Sequence, residues 1–199
     1  MGVDKALLSC GGRPLVSHAL SLLRNAGLPV AIAGARSPLG TFAPVVEDPV
    51  PDRGPLGGIC SALASTSALL AVFLPVDLPL IPSSLVACLV WRALITGAAV
   101  TLPVVGGFAQ TFPAVVDREL LPGLQRRLQA GNGGCFTAFQ AAAAEIERPV
   151  DAVPVEFLVQ CGQIAHPAGL PAVRWFLNVN EPGDLVRAAK YMVSADQVI

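Results

Sequence analysis

Residues 69–79 read LLAVFLPVDLP: six apolar side chains from Leu69 to Leu74, then Pro75, Val76 and a lone carboxylate, Asp77, held between Pro75 and Pro79. A run with no polar member suits a strand covered on both faces. The stretch therefore predicts a buried parallel strand over 69–74, with Asp77 just past its carboxyl end. Open α/β sheets bind their ligands beyond those ends, so Asp77 is where a search for chemistry begins.

Upstream, no charged residue occurs from Gly54 to Val76. A membrane-spanning helix needs about 20 apolar residues. This stretch is interrupted by Gly54, Pro55, Gly57, Gly58, Ser61, Ser65, Thr66, Ser67 and Pro75, and it divides instead into a glycine-led helix over 56–67 and the strand. Further back, Leu15, Val16, Ala19, Leu20, Leu23 and Ala26 recur at helical spacing, between Pro14 at a first turn and Gly27 past the end. Residues 29–33 and 44–46 read as short strands. Downstream the pattern predicts a helix over 82–95, then, over 98–105 and 108–116, a hairpin or two strands around a turn at Gly106-Gly107. Helices follow over 117–130, with Asp117 as N-cap, and over 134–147. A strand over 175–179 and a helix over 181–193 close the chain, while 150–172 carries no clear period. Strands alternating with helices predict a three-layer α/β fold with a mainly parallel sheet, in one domain spanning 1–199.

Composition narrows the class of function. Thirteen basic and 14 acidic residues leave a net charge of −1 with no basic stripe, which argues against nucleic acid as a partner. Only 14% of residues are charged, against 53% hydrophobic, so the surface is small or partly covered by a partner. Five scattered cysteines without a C-x-x-C pair read as reduced thiols of a cytoplasmic protein. His18 and His166 lie far apart, and no spacing supports a zinc site. No signal peptide and no membrane segment are expected.

Four groups can carry chemistry. Lys5, after Asp4, can reach a phosphate as a mobile point charge, or the two can be an exposed surface pair. Asp77 can hold Mg²⁺ by one or two oxygens while a triphosphate and water supply the rest, or it can serve a turn. Gly54-Pro55-Leu56-Gly57-Gly58 at a helix start leaves backbone N–H groups open to a ligand. Asp48 and Asp52 nearby can meet a base or ribose, or simply be solvated. Asn178 and Asn180 fall on the same side of an extended segment; they can serve a ligand or metal, or Asn180 can cap the last helix.

Read in order, MGVDKALL, GGRPL, VEDPVPDRGPLGG, PVDLP and NVNEPGDL resemble the motifs of the MobA-like nucleotidyltransferases, the molybdenum cofactor guanylyltransferase family. Five weak signals in register span nearly the whole chain. The resemblance implies a Rossmann-like, GT-A-like α/β/α fold. It implies Mg²⁺-dependent transfer of GMP from GTP to the terminal phosphate of molybdopterin, with release of pyrophosphate. Lys5 would then contact the nucleotide phosphates, Asp77 would bind Mg²⁺, and Arg13 would assist with phosphate. Asp48 and the Gly54–Gly58 turn would surround guanine and ribose, and Asn178 and Asn180 would face the acceptor. Implied partners are GTP, molybdopterin, and molybdoenzymes or their chaperones.

Two departures from the family pattern carry expectations. The family's first strand and the L-A-G-G-x-S-x-R part of its loop are not matched, as Met1-Gly2 aligns with the end of that loop. The resemblance therefore implies a chain shortened by a late start codon, by its expression form or by gene decay, poorly stable and weak in catalysis. Each large apolar side chain lost with that strand is worth about 1.5–3 kcal/mol, against a margin of about 5–15 kcal/mol. The second departure is Ala33, where the family often has a polar residue, so CTP, as in the related cytidylyltransferases, stays open beside GTP. A non-catalytic α/β binding domain is the reading from a different class.

Overall fold

The computed structural model describes residues 4–34, 37–48, 53–131 and 134–192. A hairpin of Ser9–Cys10 (β1) and Arg13–Pro14 (β2) precedes the helix Leu15–Asn25 (α1). Ile32–Ala33 (β3) and Val45–Val46 (β4) form a separate parallel pair. Then come Gly54–Ser65 (α2), Leu70–Phe73 (β5), Ser83–Thr96 (α3), Val100–Val105 (β6), Phe108–Ala109 (β7) and Ala114–Asp117 (β8). The remainder is Leu121–Ala130 (α4), Cys135–Glu145 (α5), Val150–Pro154 (β9), Val155–Gln160 (α6), Ala172–Trp175 (α7) and Pro182–Met192 (α8).

The α/β class is as expected, but the larger sheet is mixed. β8 lies between β5 and β6 and runs antiparallel to both, and β9 pairs parallel to β6. The cause is local. The chain reverses after β6 at Gly106-Gly107, whose φ angles of 59° and 81° suit a two-residue hairpin turn. Residues 106–113 hold no helix to carry a crossover, so the returning strand must be antiparallel. β5, β6 and β9 still share one direction. β5 is also less covered than its composition implies: all four of its residues are half-buried. One edge pairs with β8, and among the described residues no strand pairs with the other.

Alternation along the strands divides the core in two. Ala71, Phe73, Val100, Leu102, Ala114 and Val116 pack with α2, α4 and α5. Leu70, Val72, Val105, Val115 and Val153 pack with α3, α6, Trp175 and the end of α1. Smaller clusters secure the first helix: Val16 and Leu20 with Ile32 and Val76, and Leu15 with Leu80 and Val179.

The expected strand over 175–179 is not formed. Pro171 opens the short helix α7 instead, and Trp175, fully buried, donates its indole N–H to the Leu170 carbonyl at 2.8 Å. Leu177 to Asn180 run on without a strand partner. The expected helix over 117–130 begins as a 3₁₀ turn, Arg118–Leu120, capped by Asp117, before α4 proper. The periodless segment resolves into β9, α6 and α7. No helix among the described residues is long and apolar enough to cross a membrane.

Gly123 shows how closely α4 and α5 approach. A Cβ there would meet the Cβ of Ala142 at 2.9 Å and its Cα at 3.2 Å. Gly-to-Ala in a helix normally gains up to about 1 kcal/mol, but overpacking costs about 1–3 kcal/mol. Gly123→Ala is expected to lower stability by about 1 kcal/mol, read as a reduced urea midpoint at unchanged slope; a raised midpoint would refute this packing.

Candidate active site

Asp77 lies in the turn that follows β5, between two prolines that limit its backbone. Its carbonyl accepts the N–H of Val179 at 2.9 Å, and Val179 is itself buried against Leu15 and Leu80. This bond ties the segment before α8 to the carboxyl end of β5. Lys5 arrives from the other end of the chain on a 3₁₀ turn, Lys5–Leu7, capped by the Asp4 carboxylate, which accepts from the Ala6 N–H at 3.0 Å. The Lys5 ammonium donates to Asp77 Oδ2 at 2.9 Å and to Asn180 Oδ1 at 2.8 Å. Residues 5, 77 and 180 thus meet at one point, with the Lys5 and Asp77 side chains 36% and 23% exposed.

Asn180 is not the helix cap. That role falls to Asp184, a residue the sequence reading passed over. Asp184 Oδ2 accepts from the N–H groups of Asn180 and Glu181, both at 3.0 Å. With Glu181 as N-cap and Asp184 at N3, this is the returning half of a capping box, made by aspartate where glutamate or glutamine is usual. Arg187 pairs with the other Asp184 oxygen. The two backbone N–H donors, and then Arg187, hold the Asp184 carboxyl below its ordinary range. The side chain of Asn180 is thereby left free for Lys5.

The start of α2 forms the second part. Gly54 has a φ of 64°, and Gly58 packs beside β3, where a Cβ would make an ordinary contact 3.7 Å from that of Ala33. Leu56 is buried in the core, so only its backbone can face a ligand. Asp48 sits between Gly34 and Gly57, its Oδ2 3.3 Å and 3.5 Å from where their Cβ atoms would be. Its Oδ1 is buried without a hydrogen-bond partner. It borders a groove between α2 and α4 that also includes Arg53, Ser61 and Gln125. Burial, aided by the Asp48 charge, pushes the nearby Cys60 thiol up to about 11, which makes it a poor nucleophile.

Not every expected residue joins the central contact. Asn178 is exposed, and the Lys5 ammonium bonds Asp77 and Asn180 rather than it. Arg13 donates to Ser21 Oγ at 2.9 Å, on α1. Asp52 lies outside the described residues. No cluster of three or more His, Cys, Asp or Glu side chains occurs among the described residues. What Asp77 and Asn180 offer is one carboxylate and one amide oxygen. Such hard donors fit Mg²⁺, which commonly takes one or two carboxylates and completes its shell with water and phosphate.

Fold and site together are those of an α/β nucleotidyltransferase. Residues 1–146 match the model of the MobA-like NTP transferase domain, and the chain belongs to that family. It is 29% identical over 192 residues to a probable molybdenum cofactor guanylyltransferase of Haloferax mediterranei, covering 92% of this chain and 84% of that one. It is 32% identical over 197 residues to a molybdenum cofactor guanylyltransferase of Cereibacter sphaeroides, covering 94% and 87%. Among solved structures, it superposes on molybdopterin-guanine dinucleotide biosynthesis protein A of Archaeoglobus fulgidus with a TM-score of 0.74, at 18% identity, over 96% of this chain and 92% of that one. At that identity the likeness is one of fold.

The Asp184 cap has a pH consequence. Its carboxyl is held below the ordinary 3.8 in the folded chain, so its stabilisation is complete above that value and is lost as pH falls through the folded pKa. Comparing urea stability of the wild type with Asp184→Asn should show a gap that is constant from pH 7 to about 5 and closes below about 4. A gap that widens in acid would contradict the assignment.

Proposed function

We propose that the chain transfers GMP from GTP to the terminal phosphate of molybdopterin, yielding the guanine dinucleotide cofactor and pyrophosphate in the cytoplasm. One observation carries this reading: a mobile ammonium, a strand-end carboxylate and an amide oxygen converge where an open α/β sheet presents its ligand. The names of the relatives supply the substrates.

Little covalent work is asked of the protein. The acceptor phosphate is already ionised and attacks the α-phosphorus as pyrophosphate leaves, so rate comes from alignment and charge neutralisation. Lys5 binds the nucleotide phosphates and offsets their charge. Asp77, with Asn180, would hold Mg²⁺, which supplies further neutralisation when bound. The open N–H groups at the start of α2 orient the nucleotide, with Asp48 beside the sugar and base. Asn178 faces the acceptor, and Arg13 contacts phosphate only if its bond to Ser21 gives way. The Ala33 methyl, close to Gly58, offers no hydrogen bond to a base, which favours CTP as the substrate to test beside GTP.

Calorimetric titration with GTP and with CTP, each with Mg²⁺, tests the reading. GTP heat that disappears in Lys5→Ala and Asp77→Ala is the expected result, and each variant should lower kcat/KM by about 10²–10³-fold. Heat with CTP alone would transfer the proposal to the cytidylyl reaction; none with either would leave a binding domain without this activity.

A further inference from the structure

We propose that Lys5 is a latch on the cation seat. With no polyphosphate bound, its ammonium occupies the place between Asp77 and Asn180 that a divalent cation requires, and metal enters only after a polyphosphate has drawn Lys5 away. The inference rests on the reading of Asp77 as a cation ligand in nucleotidyl transfer, and it adds an order of events to that reading.

The geometry divides the site into fixed and movable parts. Asp77 and Asn180 are fixed: the Val179 N–H bonds the Asp77 carbonyl, and Asp184 accepts from the Asn180 N–H. Their side-chain oxygens are therefore presented by two segments tied to each other. Lys5 is the movable member. It lies on a three-residue turn, is 36% exposed, and carries its charge on a flexible four-carbon stem.

The seat cannot serve both cations. Lys5 Nζ stands 2.9 Å from Asp77 Oδ2 and 2.8 Å from Asn180 Oδ1. A Mg²⁺ ion contacts its oxygens at about 2.0–2.1 Å, so bridging the same two atoms would bring it into the space of the ammonium, against like charge. Asp77 supplies one negative charge and Asn180 none, so a bare divalent ion gains little by expelling Lys5. A triphosphate changes the balance. It offers the ammonium several anionic oxygens, takes up its three N–H donors and leaves Asp77 uncompensated. The same lysine then serves the phosphates, and the carboxylate it has vacated attracts the metal.

The test uses the full chain and Mn²⁺ alone, followed by the loss of the free-ion paramagnetic resonance signal. Wild type should bind Mn²⁺ weakly. Lys5→Met should bind at least fivefold more tightly, and Lys5→Arg, which keeps the charge, within twofold of wild type. Adding Asp77→Asn to Lys5→Met should abolish the gain. Lys5→Gln should show the same gain and covers a Lys5→Met variant that fails to fold. Unchanged affinity in both charge-removing variants, or a gain that survives Asp77→Asn, would overturn the latch. The nucleotide reading is judged separately by GTP heat on the wild type. A Mn²⁺ gain without GTP heat upholds Lys5 as the barrier at the cation seat and refutes that reading; GTP heat without the gain overturns the latch and leaves that reading standing.

Discussion

The candidate site depends on one backbone hydrogen bond, Val179 N–H to the carbonyl of Asp77. It joins positions 102 residues apart in the numbering and does so at the end of a strand. Without it, Asn180 would have no reason to stand beside Asp77. Lys5 would then have one oxygen to reach instead of two. Val179 makes the bond durable, because its side chain is buried among Leu15, Leu80 and Ala188. Packing and hydrogen bonding act here at the same residue, with exposed asparagines on either side.

The scaffold beneath the bond is a sheet with two different faces. Alternation in β5, β6 and β8 sends neighbouring residues into separate apolar clusters, so the strands are held from both sides and the end of β5 is defined in space. Insertion of β8 as an antiparallel strand places buried alanine and valine against β5. The Asp77 turn thus projects from a packed element, while Lys5 reaches it on a long side chain from a three-residue turn anchored by buried Ala6. Rigid carboxylate and mobile ammonium suit a site that must hold one group still and allow another to follow a substrate.

Much was legible in the sequence for physical reasons that are themselves local. The uncharged run 69–74 marked a strand, and the carboxylate after it stands where the structure brings Lys5 and Asn180 together. GPLGG marked a helix start, and α2 does begin at Gly54. Lys5, Asp77 and Asn180 were each recognisable as residue types that handle phosphate, metal or amide contacts. The Asp184 cap was not legible because Glu-Pro-Gly-Asp lacks the Ser or Thr and the Glu or Gln of the usual capping box. Trp175 was misread as strand because a large buried aromatic looks the same whether its backbone is extended or in a helical turn.

By itself, then, the sequence determined the α/β class, the helices with a clear apolar period, and which side chains are of a type able to handle phosphate or metal. These follow from side-chain type and short-range spacing. Only the tertiary structure decided that β8 would separate β5 from β6, that β5 would be half-covered, and that Lys5 would bridge Asp77 and Asn180 while Arg13 turned to Ser21. Those outcomes depend on which backbone edges meet and in what register. Strand partnership is a contact between distant parts of the chain, and a local pattern of apolar and polar residues is the same whichever partner is met.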